Sequence, residues 1–461
     1  MKLLPLITLM ISAMATANVH LPSIFSDNMV LQRNSEVTVW GSADPKEKIT
    51  LKADFLDKEY KTVAGNDATF RITFKTPKEG GPYKIRIKGY NDIVLSNVML
   101  GEVWLMSGQS NMEMSAAWGI DNGDVEISKA THPEIRLFMV SKAASEGVQR
   151  DAYDQYGGWK SSTPETMKSF SAIGYFFAQR LQEELKVPVG VICAAWGGSA
   201  AELWTPQEVF KARPEFTENY KKLGSSEYYP SLAGGAYNAM IAPFNDFKIA
   251  GAAWYQGETN TGNPDLYAPL LTDMIASWRK ARGYEFPFYI IQIAPYGSWQ
   301  DSGAKIRNAQ RYVALNVPNS GLVLTADVSE ADNLHPKNKK PVGIRLANLA
   351  LTDSYHKNLG LVKSPVWKSS EFRDGKVILN LENAEGLYFK NGISKQFEIA
   401  AADGKFVVAQ AFIKNNQIVL QAKNIRNPVY VRYAWSSVAM PDLFNKAHLP
   451  ASTYYSSGNT K

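Results

Sequence analysis

Apolar and polar positions change rhythm along the chain. Between Asn18 and about Val98, short stretches alternate with the period of two that a half-buried strand requires. Examples are Glu36-Val37-Thr38-Val39-Trp40, Thr69-Phe70-Arg71-Ile72-Thr73-Phe74 and Tyr83-Lys84-Ile85-Arg86-Ile87. Gly65-Asn66-Asp67 and Gly80-Gly81-Pro82 separate them as turns, so residues 18–98 are predicted to form a small β-sandwich. From Met99 to Thr352 the strand-like runs become predominantly apolar, at 98–106, 189–195, 249–255, 288–293 and 322–326. Between them lie helical spacings: Ile173, Phe176, Phe177 and Leu181 on one predicted helix, and Tyr267, Leu271, Met274, Ile275 and Trp278 on another. Predominantly apolar strands alternating with helices imply a parallel sheet covered on both faces. Residues 99–352 are therefore predicted to be an α/β domain, doubly wound and three-layered. Strand-like runs return in residues 353–461, as in Val377-Ile378-Leu379 and Gln417-Ile418-Val419-Leu420, with turns at Asp403-Gly404 and Asn415-Asn416. They predict a C-terminal β-rich domain.

Residues 1–17 follow neither rhythm. Lys2, an apolar run over 3–14 and then Ala15-Thr16-Ala17 have the order of an export signal peptide, with a mature chain starting near Asn18. The expected location is periplasmic or secreted. No other stretch approaches about 20 continuous apolar residues, so no membrane anchor is expected. Apolar residues make up 45% of the chain, enough for packed cores and against disorder. The formal charge of +6, or +5 without Lys2, is spread with no Lys/Arg-rich block, which argues against a nucleic-acid partner. Cys193 is the single cysteine; it excludes a disulfide within the chain and reads as a small buried side chain in an apolar run.

In an open parallel sheet, sites form at the carboxyl ends of the strands. Four predicted strand ends carry chemistry here. They are Ser107-Gly108-Gln109-Ser110-Asn111, Trp196-Gly197-Gly198-Ser199, Gln256-Gly257-Glu258-Thr259-Asn260, and Asp327 followed by Asp332-Asn333-Leu334-His335-Pro336. Serine, glycine, amide and Asp/His groups together are the inventory of a serine hydrolase. Of the five histidines, His20, His132, His335, His356 and His448, only His335 sits in a strand-end loop three residues after an aspartate. That spacing can let Asp332 hold one ring nitrogen while the other faces a serine. Ser110 also suits a helix N-cap, and a serine opening a helix has backbone N–H groups around it for an oxyanion. Ser107 and Ser199 are rival nucleophiles. A glycine N–H of Gly197-Gly198 and the Gln256 amide are candidate oxyanion donors. Glu102, Glu113, Glu202 and Glu258 are candidate glycosidase acids, although nothing pairs them, and each also reads as a structural acid. Trp118, Tyr153, Tyr156, Trp159, Tyr228, Tyr229 and Tyr237 supply aromatic faces for a sugar or ordinary packing. The chain carries no G-x-S-x-G, Walker A, G-x-G-x-x-G or H-E-x-x-H motif, so no cofactor and no metal are expected.

These blocks have a family resemblance. Gly101-Glu102-Val103-Trp104 through Ser107-Gly108-Gln109-Ser110-Asn111-Met112-Glu113-Met114, with Trp254-Tyr255-Gln256-Gly257-Glu258 and the D-x-x-H of Asp332 and His335, resembles the signature of the sialate O-acetylesterase family, within the SGNH hydrolases. Phe25-Ser26-Asp27-Asn28-Met29 and Val431-Arg432-Tyr433-Ala434-Trp435 are similar to its opening and closing segments. The resemblance implies an SGNH-type α/β/α domain and Ser110 as nucleophile, with His335 and Asp332 completing the catalytic set. It implies Ser110, Gly198 and Gln256 as the oxyanion hole, and Trp118, Glu258 and Asn260 are assigned to substrate. The implied partner is an acetylated glycan, most directly a 9-O-acetylated sialic acid. Acetylated xylan or another hemicellulose is the alternative within esterases. A secreted carbohydrate-binding protein without activity is the alternative outside them.

Overall fold

The computed structural model describes residues 18–457. The predicted export signal, residues 1–17, lies outside them. The N-terminal part contains β1 (Val30–Gln32), β2 (Glu36–Ser42), β3 (Lys48–Ala53), β4 (Tyr60–Val63), β5 (Thr69–Lys75), β6 (Gly80–Lys88) and β7 (Asp92–Gly108). β2 pairs with β5, while β3 joins β4 and β6 in a second sheet. The predicted alternation explains how the two sheets meet. Val37, Val39, Phe70, Ile72 and Phe74 from one and Ile49, Leu51, Ile85 and Ile87 from the other are buried together, while Lys48, Arg71, Lys75, Arg86 and Lys88 face out.

The predicted boundary at 98/99 falls inside β7, a single strand of 17 residues. Its first half pairs with β6 and its second half with the strands of the α/β layer. The boundary is a change of partners within one strand, and a buried apolar run looks the same on either side of it.

The α/β layer adds β8 (His132–Met139), β9 (Lys160–Ser162), β10 (Val189–Ala195), β11 (Gly251–Tyr255), β12 (Phe288–Ile291) and β13 (Ser320–Val323). The spatial order is β13-β12-β11-β7-β10-β8-β9, parallel throughout except for β9. Each of the five predicted runs overlaps a strand, although the last shares only Leu322 and Val323 with β13, which starts at Ser320. β8 is not among them because Arg136 interrupts its apolar stretch; the guanidinium is buried on a hydrogen bond to Ser161 Oγ at 2.7 Å. Side chains alternate across the sheet. Trp104, Met106, Val191, Cys193 and Ala253 pack against helices Ala172–Leu185 and Lys339–Asp353. Leu105, Ile192, Ala194, Ala252 and Trp254 pack on the other face with helices Tyr267–Arg282 and Ser302–Asn316. The predicted helical residues lie on the first and third of these helices. Ser171 caps one, its Oγ accepting the Gly174 N–H at 3.1 Å. Cys193 is fully buried, and burial raises its thiol pKa.

Beyond residue 366 the chain forms two four-stranded antiparallel sheets around a core of its own, including Trp367, Leu379, Phe397, Ile418, Val431 and Tyr433. None of these strands pairs with an N-terminal strand. The domain is fastened to the α/β layer by Arg307, whose buried guanidinium donates to Thr453 Oγ1 at 3.0 Å, Ser437 O at 3.3 Å and Ser436 O at 2.5 Å. Among the described residues, no helix is long and apolar enough to cross a membrane.

Candidate active site

β7 is the strand at which the winding reverses, with β10 on one side and β11 on the other. The crevice at its carboxyl end is where an open α/β sheet places a site. Gly108 ends β7 at φ +139, and a Cβ there would stand 2.1 Å from the Tyr255 carbonyl oxygen. Only glycine fits this close approach. The turn lets the Gln109 N–H donate to Tyr255 O at 2.9 Å, and Ser110 then opens the one-turn helix Ser110–Glu113. Ser110 is mostly buried.

His335 lies in the loop between β13 and helix Lys339–Asp353, with its Nε2 2.8 Å from Ser110 Oγ. Its backbone N–H donates to Asn333 Oδ1 at 3.0 Å. Burial first, and then the positive charge of Lys339, lowers the imidazole pKa below the ordinary 6.5. A neutral imidazole at this distance can take a serine proton. Trp118, about half exposed, meets the His335 ring edge-on with centroids 6.0 Å apart.

Two side chains of the same short helix organise the surroundings. Asn111 is fully buried; its Nδ2 donates to Glu258 Oε1 at 2.6 Å and to Leu334 O at 3.0 Å, and its Oδ1 accepts from Lys339 Nζ at 2.6 Å. Burial raises the Glu258 pKa and pushes Lys339 down to about 7. Glu113 accepts the Gly197 N–H at 2.7 Å and pairs with Lys142 at 2.6 Å. That contact brings the Gly197-Gly198 turn beside the nucleophile, where a Cβ on Gly197 would stand 3.5 Å from the Ser110 Cβ. Gly198, at φ +77, lies under the exposed Tyr228, and a Cβ on it would be 3.0 Å from the Tyr228 Cβ. Neither the Ser110 N–H nor the Gly198 N–H has an acceptor among the described residues. Two backbone donors are thus left for a developing oxyanion.

Several expectations change. Asp332 is exposed and makes no hydrogen bond to His335. The Asn333 side chain instead bonds the His335 backbone two residues on, in an Asx turn, while the Asp332 side chain is left in solvent. Gln256 is not an oxyanion donor in this geometry. It is fully buried, its amide donates to Ser199 O at 3.1 Å and Asn260 Oδ1 at 2.7 Å, and its Oε1 accepts from Tyr267 at 3.0 Å. A buried amide at the end of a covered strand must spend its hydrogen bonds on the chain. Glu258 and Asn260 do not face substrate for the same reason. Asn260 is 1% exposed and donates to Glu202 and Asn263, and Glu258 is 6% exposed and bound to Asn111.

The rival serines are buried away: Ser107 entirely, and Ser199 between Trp196 O and Trp204 Nε1. Glu102, Glu113, Glu202 and Glu258 each bond other groups and not one another. Trp159, Tyr229 and Tyr237 belong to the core, leaving Trp118 and Tyr228 beside the site and Tyr153 exposed at the end of β8. Asn111 and Lys339 were missed as site residues. Asn111 follows the nucleophile in the motif, which could have flagged it. Lys339 lies in a lysine-rich stretch that reads as solvated surface.

The model for the family described as "Carbohydrate esterase, sialic acid-specific acetylesterase" matches residues 100–352. Sialate O-acetylesterases from Pongo abelii and Homo sapiens are each 27% identical over 90% of this chain and 87% of their own. The one from Mus musculus is 25% identical over 94% of this chain and 92% of its own. The crystal structure of a carbohydrate acetylesterase from Xanthomonas citri superposes with a TM-score of 0.86 at 31% identity, covering 95% of this chain and 99% of that one.

Proposed function

Because the chain belongs to the sialic acid-specific acetylesterase family of carbohydrate esterases, we propose that it hydrolyses O-acetyl esters on carbohydrate with Ser110 as nucleophile and His335 as base. The observation that carries this reading is the 2.8 Å contact between Ser110 Oγ and His335 Nε2, at the carboxyl end of the central strand. Ser110 Oγ attacks the acetyl carbonyl as His335 takes its proton. The tetrahedral oxyanion is met by the N–H groups of Ser110 and Gly198. Collapse expels the sugar hydroxyl, protonated by His335, and leaves an acetyl-Ser110 ester. Water, deprotonated by the same imidazole, then releases acetate. Trp118, against the His335 ring, and Tyr228, over Gly198, are the exposed aromatic rings placed to meet the sugar.

The substrate we favour is a sialic acid carrying a 9-O-acetyl group. Support comes from the sialate O-acetylesterases that align with nine-tenths of the chain. Acetylated xylan is the competitor. We place the enzyme outside the cytoplasm on the leader-like composition of residues 1–17.

The test is acetate release from a 9-O-acetylated sialoside and from acetylated xylan, measured side by side. Ser110→Ala should lower kcat by about four orders of magnitude or more on either substrate. Near-native turnover by that variant would end the assignment of Ser110. Faster release from xylan would move the substrate to plant polysaccharide and leave the chemistry unchanged. Absence of both activities and of Ser110 labelling by a fluorophosphonate would favour a binding protein.

A further inference from the structure

Asn111 and Leu334 are the chain neighbours of the nucleophile and of the base. One amide joins them. Asn111 follows Ser110, and its Nδ2 donates to the carbonyl of Leu334, the residue before His335, at 3.0 Å. The second Nδ2 hydrogen goes to Glu258 Oε1 at 2.6 Å, and Oδ1 accepts from Lys339 Nζ at 2.6 Å. Each polar site of the amide is therefore used, and the two charges fix its orientation. Rotating it by half a turn would set its NH2 against an ammonium and its oxygen against a carboxylate. Lys339 is 2% exposed and Asn111 is fully buried, so water does not compete for these contacts. Among the described residues Glu258 Oε2 has no hydrogen-bond partner, so the carboxylate is held from one side only.

We propose that Lys339 is a positioning residue for the Ser110–His335 pair: its ammonium locks the Asn111 amide that straps the His335 loop to the nucleophile helix, and carries a positive charge at the start of the helix that follows that loop. The proposal rests on the esterase reading above. No bond to substrate is involved, so Lys339 acts only through Asn111 and through its field at His335. Titratable groups lie on the elements around the His335 loop. They are Lys339 on the following helix and Glu258 from the loop after β11, with Tyr255, whose ring lies 5.6 Å from Lys339 Nζ. Glu113, paired with Lys142, ends the nucleophile helix, and Asp332 and Lys337 are exposed in the His335 loop itself. Burial is the larger cause of the lowered His335 pKa, and of these groups Lys339 is the charge that adds to it.

The sign follows from the charge. A cation disfavours a second cation, so removing it raises the His335 pKa and moves the acid limb of kcat/KM to higher pH. Lys339→Met should shift that limb upward by about half a unit or more and lower kcat about tenfold, with KM changed less than about twofold. Lys339→Gln keeps a donor for Asn111 but not the charge. It should show the same shift of the limb with a smaller loss of kcat, and it reads the same quantity should Lys339→Met fail to fold. Lys339→Arg should hold the limb near its wild-type position. An acid limb in the same place in both neutral variants overturns the proposal, as does a limb displaced equally by Arg. The wild-type enzyme is run alongside: no acetate release from it would defeat the esterase reading itself, whereas an active wild type with unmoved variants defeats only the role of Lys339.

Discussion

Two carboxylates near the His335 loop have opposite surroundings. Asp332 is exposed and apart from the imidazole, while Glu258 is buried on Asn111. An exposed acid that bonds nothing at the site behaves like any surface residue, where substitutions are usually worth within about 0.5 kcal/mol. Asp332→Asn is therefore expected to keep kcat/KM within about threefold. A loss of two orders of magnitude would restore Asp332 as the group that orients the base. The pH profile is set at the same scale. His335 must be neutral to accept the Ser110 proton, and its pKa lies below 6.5. Activity should be full at neutral pH and fall only as the pH drops through that lowered value, so a kcat/KM acid limb centred above 6.5 would contradict the observed burial. Ser110 and His335 are legible from residue type and strand-end position. Gln256 and Asn260 are not, since an amide that reaches substrate and one spent on the backbone look alike in one dimension.

At the scale of elements, the site depends on how β7 ends. Its apolar run is readable, and so is the glycine that closes it, but its length is not. The same strand serves two sheets, and apolar alternation does not record a change of partner. The junction at Gly108 concentrates the cost of error. Alanine there adds a Cβ 2.1 Å from Tyr255 O in a backbone region L-residues rarely adopt. Backbone strain of this kind alone costs about 1–3 kcal/mol. Gly108→Ala should lower the Tm by several degrees, roughly 5 °C or more, and reduce fluorophosphonate labelling of Ser110. An unchanged Tm with normal labelling would show that the turn can relax without moving the nucleophile. β8 illustrates the converse failure of pattern: a buried arginine with a hydrogen-bond partner hides a covered strand among polar residues.

Across the whole molecule, the two β-rich parts relate differently to the α/β layer. The N-terminal sandwich shares a strand and a core with it. The C-terminal domain keeps its own core and docks through polar contacts, with Arg307 reaching Ser436, Ser437 and Thr453. Arg307→Met would take the guanidinium from Thr453 Oγ1, at roughly 1–3 kcal/mol for a buried group left unsatisfied, and would remove one of two donors each from Ser436 O and Ser437 O, which keep the Ala439 and Tyr296 N–H groups. Thermal unfolding should show a clearly lower Tm, and limited proteolysis should cut between residues 353 and 366. Equal Tm and equal resistance would mean that the docking does not depend on this arginine. The sequence by itself determined the order β, α/β, β, the buried runs and the Ser110 and His335 blocks, because periodicity and strand-end chemistry are local properties. Only the tertiary structure decided that β7 is continuous across two sheets, that Asp332 stands apart from the imidazole, and that Lys339 is buried against Asn111. Those outcomes turn on which polar groups find one another in space, and sequence separation carries no record of that.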